Sequence, residues 1–183
     1  MAYKDPENTL VIETTKGNVV IEMRPDLAPN HVAHIKKLAR EGLYDGVVFH
    51  RVIDGFMAQT GDVKFGNPGK AGDTSRAGMG GSDYPDLKAE FNAEPHTRGV
   101  ASMARSQNPN SANSQFFIVF DDARFLDRQY TVWGKVTEGM ENVDKIKRGE
   151  PVQDPDKIVK AQIAADADQA SQDAAAAALQ KAQ

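Results

Sequence analysis

Cysteine is absent from all 183 residues. No disulfide framework, cysteine-based zinc or iron–sulfur site, or thiol nucleophile is therefore available. Long apolar runs are missing too. The longest outside the Ala-rich C-terminal stretch, Phe116 to Phe120, falls far short of the ~20 residues that a membrane helix requires. Basic charge is not in excess, since 22 Lys and Arg face 26 Asp and Glu for a formal charge of −4. That balance argues against nucleic acid or anionic lipid as a general partner. The opening residues Met1 to Glu7 hold no apolar stretch of the kind that heads a signal peptide, so the cytoplasm is the expected location.

What is present has a globular balance, with 40% hydrophobic and 26% charged residues in a length suited to one domain. Leu10–Thr15 and Asn18–Met23 are β-prone runs joined at Lys16–Gly17, which predicts a hairpin. A helix should follow. Pro29 suits its first position, Val32, Ile35, Leu38 and Ala39 share a face, and Gly42 ends it. Further strands are expected at 47–53, 100–104, 115–120 and 131–136, with a second short helix at 141–148 that turns Val143 and Ile146 inward. Many short strands with two helices point to an antiparallel barrel or sandwich. Residues 63–88 form a polar segment long enough to suggest a functional or mobile loop. From Ala161 to Gln183 there are 11 alanines and little apolar bulk, which reads as an appended, partly frayed helix.

Hydrolytic chemistry finds little support. None of His31, His34, His50 and His96 accompanies a nucleophile elbow. His31 and His34 are read as an exposed helical face, and Asp121–Asp122 as solvated carboxylates. No phosphate loop or dinucleotide fingerprint occurs, because Gly78-Met79-Gly80-Gly81 lacks the spacing and the strand–helix setting of either. Two segments differ from this background. Residues 49–62, FHRVIDGFMAQTGD, bring a guanidinium close to a Phe-Met pair and an amide. Residues 101–118, ASMARSQNPNSANSQFFI, place small-residue strands on either side of a polar turn, where a ligand backbone can approach. From the residues alone, Arg51 is equally well a structural partner of a carboxylate.

These segments, with FLDRQYTVWGKV at 125–136, resemble the cyclophilins, the peptidyl-prolyl cis–trans isomerases. The similarity spans about residues 9–163. It leaves an N-terminal extension at 1–8 and the Ala-rich tail at 164–183 outside. The resemblance implies a mostly β fold, a closed eight-stranded antiparallel barrel capped by two helices, with the substrate in a groove on the outer face. It assigns the catalytic role to Arg51 and the proline-pocket wall to Phe56, Met57, Phe117 and Leu126. Gln59 takes the substrate backbone, and Ala104, Arg105 and Gln115 line the rest of the groove. The turn at Gly78–Gly81 borders a neighbouring pocket. Phe125 and Tyr130, which the resemblance also places among the substrate-binding residues, stand where the best-studied eukaryotic members carry tryptophan and histidine. Phenylalanine offers no N–H donor, so binding of cyclosporin-type drugs is expected to be weak or absent. His50, next to an outward-facing Arg51, is expected to point into the barrel as a hydrogen-bonded core histidine.

The expected substrates are proline-containing peptides and unfolded or folding proteins. A monomer without cofactor, metal, nucleic acid or membrane is expected. The rival reading is a proline-peptide binding module or scaffold with incidental turnover. Retention of Arg51 argues for the enzyme, since simple binding needs no donor at the prolyl nitrogen.

Overall fold

The computed structural model describes residues 3–167. Eight strands form one antiparallel sheet in the order β3-β4-β6-β5-β7-β2-β1-β8. Their ranges are β1 (Thr9–Thr14), β2 (Gly17–Met23), β3 (Arg51–Ile53), β4 (Met57–Thr60), β5 (Val100–Met103), β6 (Phe116–Val119), β7 (Val132–Glu138) and β8 (Ile158–Ile163). Three helices accompany them: α1 (Pro29–Arg40) and the four-residue α2 (Pro68–Ala71) and α3 (Met140–Val143). No helix among the described residues is long and apolar enough to cross a membrane.

The first hairpin forms where expected, but its turn lies one residue earlier. Thr14 pairs with Gly17, leaving Thr15 and Lys16 as the loop. The Thr14 hydroxyl accepts from the Lys16 amide at 3.1 Å and donates to the Gly17 carbonyl at 2.7 Å. Helix α1 ends as predicted. Gly42 takes φ +72°, and the amides of Gly42 and Leu43 return to the carbonyls of Ala39 and Leu38. Its start has no local cap, because Ala28 has no side-chain acceptor. Glu90 supplies one from a distant loop, accepting from the Asn30 and His31 amides at 3.2 and 2.8 Å.

His31 and His34 are both buried, which corrects their expected place on an exposed face. The stripe i, i+3, i+4, i+7 that buries Ile35 and Leu38 runs through positions 31 and 34 as well. His31 turns Nδ1 to Glu90 Oε1 at 2.5 Å, and His34 packs edge-on against Tyr84. The helix expected at 141–148 is cut to α3. Beyond it the Arg148 guanidinium donates to the carbonyls of Asp144 and Ile146, and Val143 and Ile146 are buried as foreseen.

The concave side of the curled sheet holds the main core, around Trp133, Phe116, Tyr44 and Phe49. Phe116 meets Trp133 edge to face at 5.3 Å and Tyr44 at 5.6 Å. Closure of a barrel is not seen. No ladder joins β3 to β8, and the gap is spanned by isolated bridges, Val48 to Lys157 and Val52 to Gly149. The segment that would pair with β3 contains Pro151 and Pro155, which lack the amide a ladder needs. The result is an eight-stranded half-barrel. After β8, residues 164–167 turn into helix, and the remainder of the Ala-rich tail lies outside the described residues.

Candidate active site

Strands β5 and β6 are buried on both faces, as are β4 apart from the half-buried Gln59 and the first three residues of β7. In β6 the side chains of Phe116 and Ile118 enter the main core, while Phe117 and Val119 join a second, smaller cluster on the convex side. This two-sided burial accounts for the unbroken apolar run at 116–120. Met57, Val100, Val132, Ala123 and Leu126 complete the outer cluster, with Phe56, Ala104 and Tyr130 half-buried against it.

The covering layer is incomplete, and the gap is a groove with two cavities of about 490 and 410 Å³. Register explains how its residues meet. Arg51 pairs with Gln59 across β3–β4, and Gln59 pairs with Phe117 across β4–β6, so three side chains stand in one row on the outer face. Phe56, Met57, Phe117, Leu126, Ala104 and Tyr130 line the larger cavity together with Arg51 and Gln59. Tyr130 stands edge-on to Phe117 at 5.7 Å. Gln115 lines the second cavity, and Arg105 lines both. Phe125 departs from its expected place. The short 3-10 turn at Arg124–Leu126 directs Leu126 inward and leaves Phe125 68% exposed, resting on Phe56 outside the cavity wall.

Arg51 is held from two sides. Its Nε donates to Glu150 Oε1 at 2.8 Å and its Nη1 reaches Gln59 Oε1 at 3.4 Å. Nη2 has no partner among the described residues. Structural pairing and a free donor thus coexist in one side chain. Gln59 passes the chain of bonds to Gln115 Oε1 at 3.0 Å, and Gln115 Nε2 donates to the carbonyls of Gly78 and Gly80 at 3.0 and 2.8 Å. Beneath that loop, the wholly buried Asp62 accepts the amides of Gly78 and Gly80 on one oxygen and those of Lys64 and Phe65 on the other. Glycine is required at the closest approach, because a Cβ on Gly80 would lie 2.7 Å from Asp62 Oδ1. Glu150 lies 99 positions from Arg51 and carries no local signal of the pairing, and Asp62 closes the 49–62 segment without any pattern that discloses its hold on the 78–80 loop.

His50 corrects its expectation. It borders the groove beneath Gly78, and neither ring nitrogen has a hydrogen-bond partner. Burial drives its pKa down to about 4, against the opposing pull of Asp62. A serine–histidine–aspartate line does exist. His96 faces Asp127 through Nδ1 at 3.2 Å and Ser102 through Nε2 at 3.0 Å. Ser102 is wholly buried behind Phe117, whose ring stacks on His96, so the hydroxyl reaches no substrate.

Burial lowers the pKa of His31, His34, His50 and His96 alike. As pH falls below the unfolded value of about 6.5, the unfolded chain takes up protons that the native chain refuses. This contribution is therefore complete above that point and is lost on acidification, for His50 through its native value of about 4. Urea midpoints should agree between pH 7 and 8.5 and be clearly lower at pH 5. Turnover should instead be flat from about pH 6 to 9, because the one imidazole on the groove is neutral throughout. A sigmoidal rate profile centred near neutrality would assign a titrating group to the chemistry.

Residues 9–164 match the family described as cyclophilin type peptidyl-prolyl cis-trans isomerase/CLD. The chain belongs to this family of enzymes, which isomerise X–Pro peptide bonds. A probable peptidyl-prolyl cis-trans isomerase of Brucella suis biovar 1 is 65% identical over 167 residues, covering 88% of this chain and 85% of that one. A peptidyl-prolyl cis-trans isomerase of Helicobacter pylori is 40% identical over 146 residues, 78% and 82% of the two chains. Among solved structures, cyclophilin AquaCyp293 from Hirschia baltica has a TM-score of 0.75 at 35% identity, covering 87% and 74%. A Cryptosporidium parvum cyclophilin crystallised in the presence of the dipeptide Ala-Pro has a TM-score of 0.73 at 25% identity, covering 85% and 98%.

Proposed function

We propose that the larger cavity receives the proline ring and that Arg51 donates a hydrogen bond to the prolyl nitrogen as the peptide bond twists. The observation that carries this is the free Nη2 of Arg51 beside an apolar pocket, on a guanidinium fixed by Glu150 and Gln59. Rotation about a peptide bond faces about 18–20 kcal/mol because resonance holds it planar. No bond breaks and no proton need move. In the twisted state the prolyl nitrogen regains its lone pair and becomes an acceptor. A donor aimed there acts on the transition state and hardly at all on the planar ground state. Arginine suits the position because it is always charged and presents its donors in a rigid fork.

Phe56, Met57, Phe117 and Leu126 hold the ring while the acyl side turns, and Gln59 anchors the substrate backbone. Substrates on this reading are X–Pro bonds in short peptides and in folding polypeptides. The Ala-Pro dipeptide present with the Cryptosporidium parvum relative supports a proline-peptide ligand for the groove. Cyclosporin-type macrocycles are expected to bind weakly, since Phe125 has no N–H to offer them.

Exchange NMR on an Ala-Pro-Phe peptide tests the reading. Catalytic amounts of protein should bring the cis and trans signals into exchange within a second, where the free peptide takes tens to hundreds of seconds. A refolding protein limited by a prolyl bond should lose its slow phase. Binding of the peptide without faster exchange would make the groove a recognition module and overturn the proposal.

A further inference from the structure

Arg105 occupies the shoulder between the two cavities and borders both. Its guanidinium is locked in place. Nε and Nη2 donate to the Gln129 carbonyl at 3.0 and 2.6 Å, and Nη1 donates to the carbonyls of Ser106 and Gln107 at 2.9 and 3.4 Å. Its face lies over the Tyr130 ring, 4.6 Å from the centroid. These contacts clip the 105–107 loop to the segment bearing Tyr130. They are all made with neutral groups, so they fix the cation without neutralising it.

No carboxylate among the described residues pairs with Arg105, whereas Arg51 has Glu150 at 2.8 Å. The two carboxylates on the groove are occupied elsewhere. Glu150 serves Arg51, and Asp86, bordering the second cavity, accepts from Asn113 Nδ2 at 3.0 Å. Four of the five guanidinium hydrogens of Arg105 are engaged, which leaves one on Nη2. A half-buried cation, already immobilised and lacking a counter-ion, adds attraction for an anion at little ordering cost.

We infer that Arg105 is a specificity-determining residue that selects X–Pro segments carrying an aspartate or glutamate side chain within two residues of the proline. The inference rests on the groove being the peptide site, and it names the substrate class of that site. Asp86 bears on where the acid stands: it disfavours a carboxylate deep in the second cavity and directs it to the Tyr130 side of the shoulder.

The test is a peptide set in which glutamate, glutamine or lysine replaces alanine, one position at a time, at the two residues on either side of proline. Kd is read by NMR titration and turnover by exchange spectroscopy, at 20 and 500 mM NaCl. At the best position glutamate should bind about three- to fivefold more tightly than glutamine, the effect of one partly exposed ion pair. Over lysine the preference should reach about tenfold, because repulsion replaces attraction. High salt should compress both ratios. Arg105→Gln should bring the glutamate-to-lysine ratio close to one, while Arg105→Lys, which keeps the charge without the fork, should retain most of it.

Equal affinity for glutamate and lysine peptides at every position, or a preference that survives in Arg105→Gln, would overturn the inference. Because the ratios are read from Kd as well as from turnover, a groove that binds peptides without isomerising them would sink the catalytic proposal and still decide this one.

Discussion

Arg51→Ala should lower the turnover of an Ala-Pro peptide by about two orders of magnitude, or ~2.7 kcal/mol of barrier, the scale seen when one preorganised transition-state donor is removed. The loss should fall on kcat, with little change in KM, because the planar ground state makes scant use of the donor. Arg51→Lys should recover little. A lysine reaches one acceptor at a time, whereas the guanidinium engages Glu150 through Nε and Gln59 through Nη1 while presenting Nη2. The fold should persist in both variants. The Arg51–Glu150 pair is 41% and 57% exposed and contributes at most about 1 kcal/mol to stability. Exchange spectroscopy on each variant, with an amide correlation spectrum to confirm the fold, decides the matter. Turnover by the alanine variant above a third of wild type would remove Arg51 from the chemistry and leave it a structural partner of Glu150.

The pieces of this site differ in how plainly the sequence displays them. Arg51, Phe56, Met57 and Gln59 fall within one short hairpin, so a period-two reading already puts Arg51 and Gln59 on a common face. The run from Phe116 to Phe120 is apolar at consecutive positions, the mark of a strand covered on both sides, and the groove lies where that cover is missing. Helix α1 carried its signals locally, in Pro29 and Gly42. Its apolar face, Val32, Ile35, Leu38 and Ala39, is buried as expected, and His31 and His34 join it because Ile35 and Leu38 at i+4 lie on the same face.

Long-range contacts left little trace. The cap of α1 comes from Glu90 and the restraint on Arg51 from Glu150, and neither separation has any periodic signature. Barrel closure failed as an expectation for a reason that was visible, since Pro151 and Pro155 stand in the segment facing β3. Strand count alone does not say whether the two edges of a curled sheet meet in a ladder.

Asp62 carries the second large effect, and it separates the scaffold of the groove from its chemistry. The carboxylate is wholly buried and accepts four backbone amides, at 3.0 and 2.8 Å on Oδ1 from Lys64 and Phe65 and at 2.8 and 2.9 Å on Oδ2 from Gly78 and Gly80. Both oxygens must accept, so asparagine is no conservative replacement. Its amide would turn a donor towards one pair of donors. Leaving two partly buried amides unpaired against a buried side chain costs about 1–2 kcal/mol each, the lower part of the range for buried groups, so Asp62→Asn should destabilise the protein by about 2–3 kcal/mol and Asp62→Ala by at least as much. Urea unfolding measures this. Local exchange of the Gly78 and Gly80 amides, compared with Phe116 in the core, tells whether the loop is released before the sheet. Release should loosen Gln115, which holds the carbonyls of the same two glycines, and through it Gln59. Peptide affinity should then weaken in whatever fraction remains folded. If Asp62→Asn lies within 1 kcal/mol of wild type, the loop is held by Gln115 from above and not by the carboxylate below.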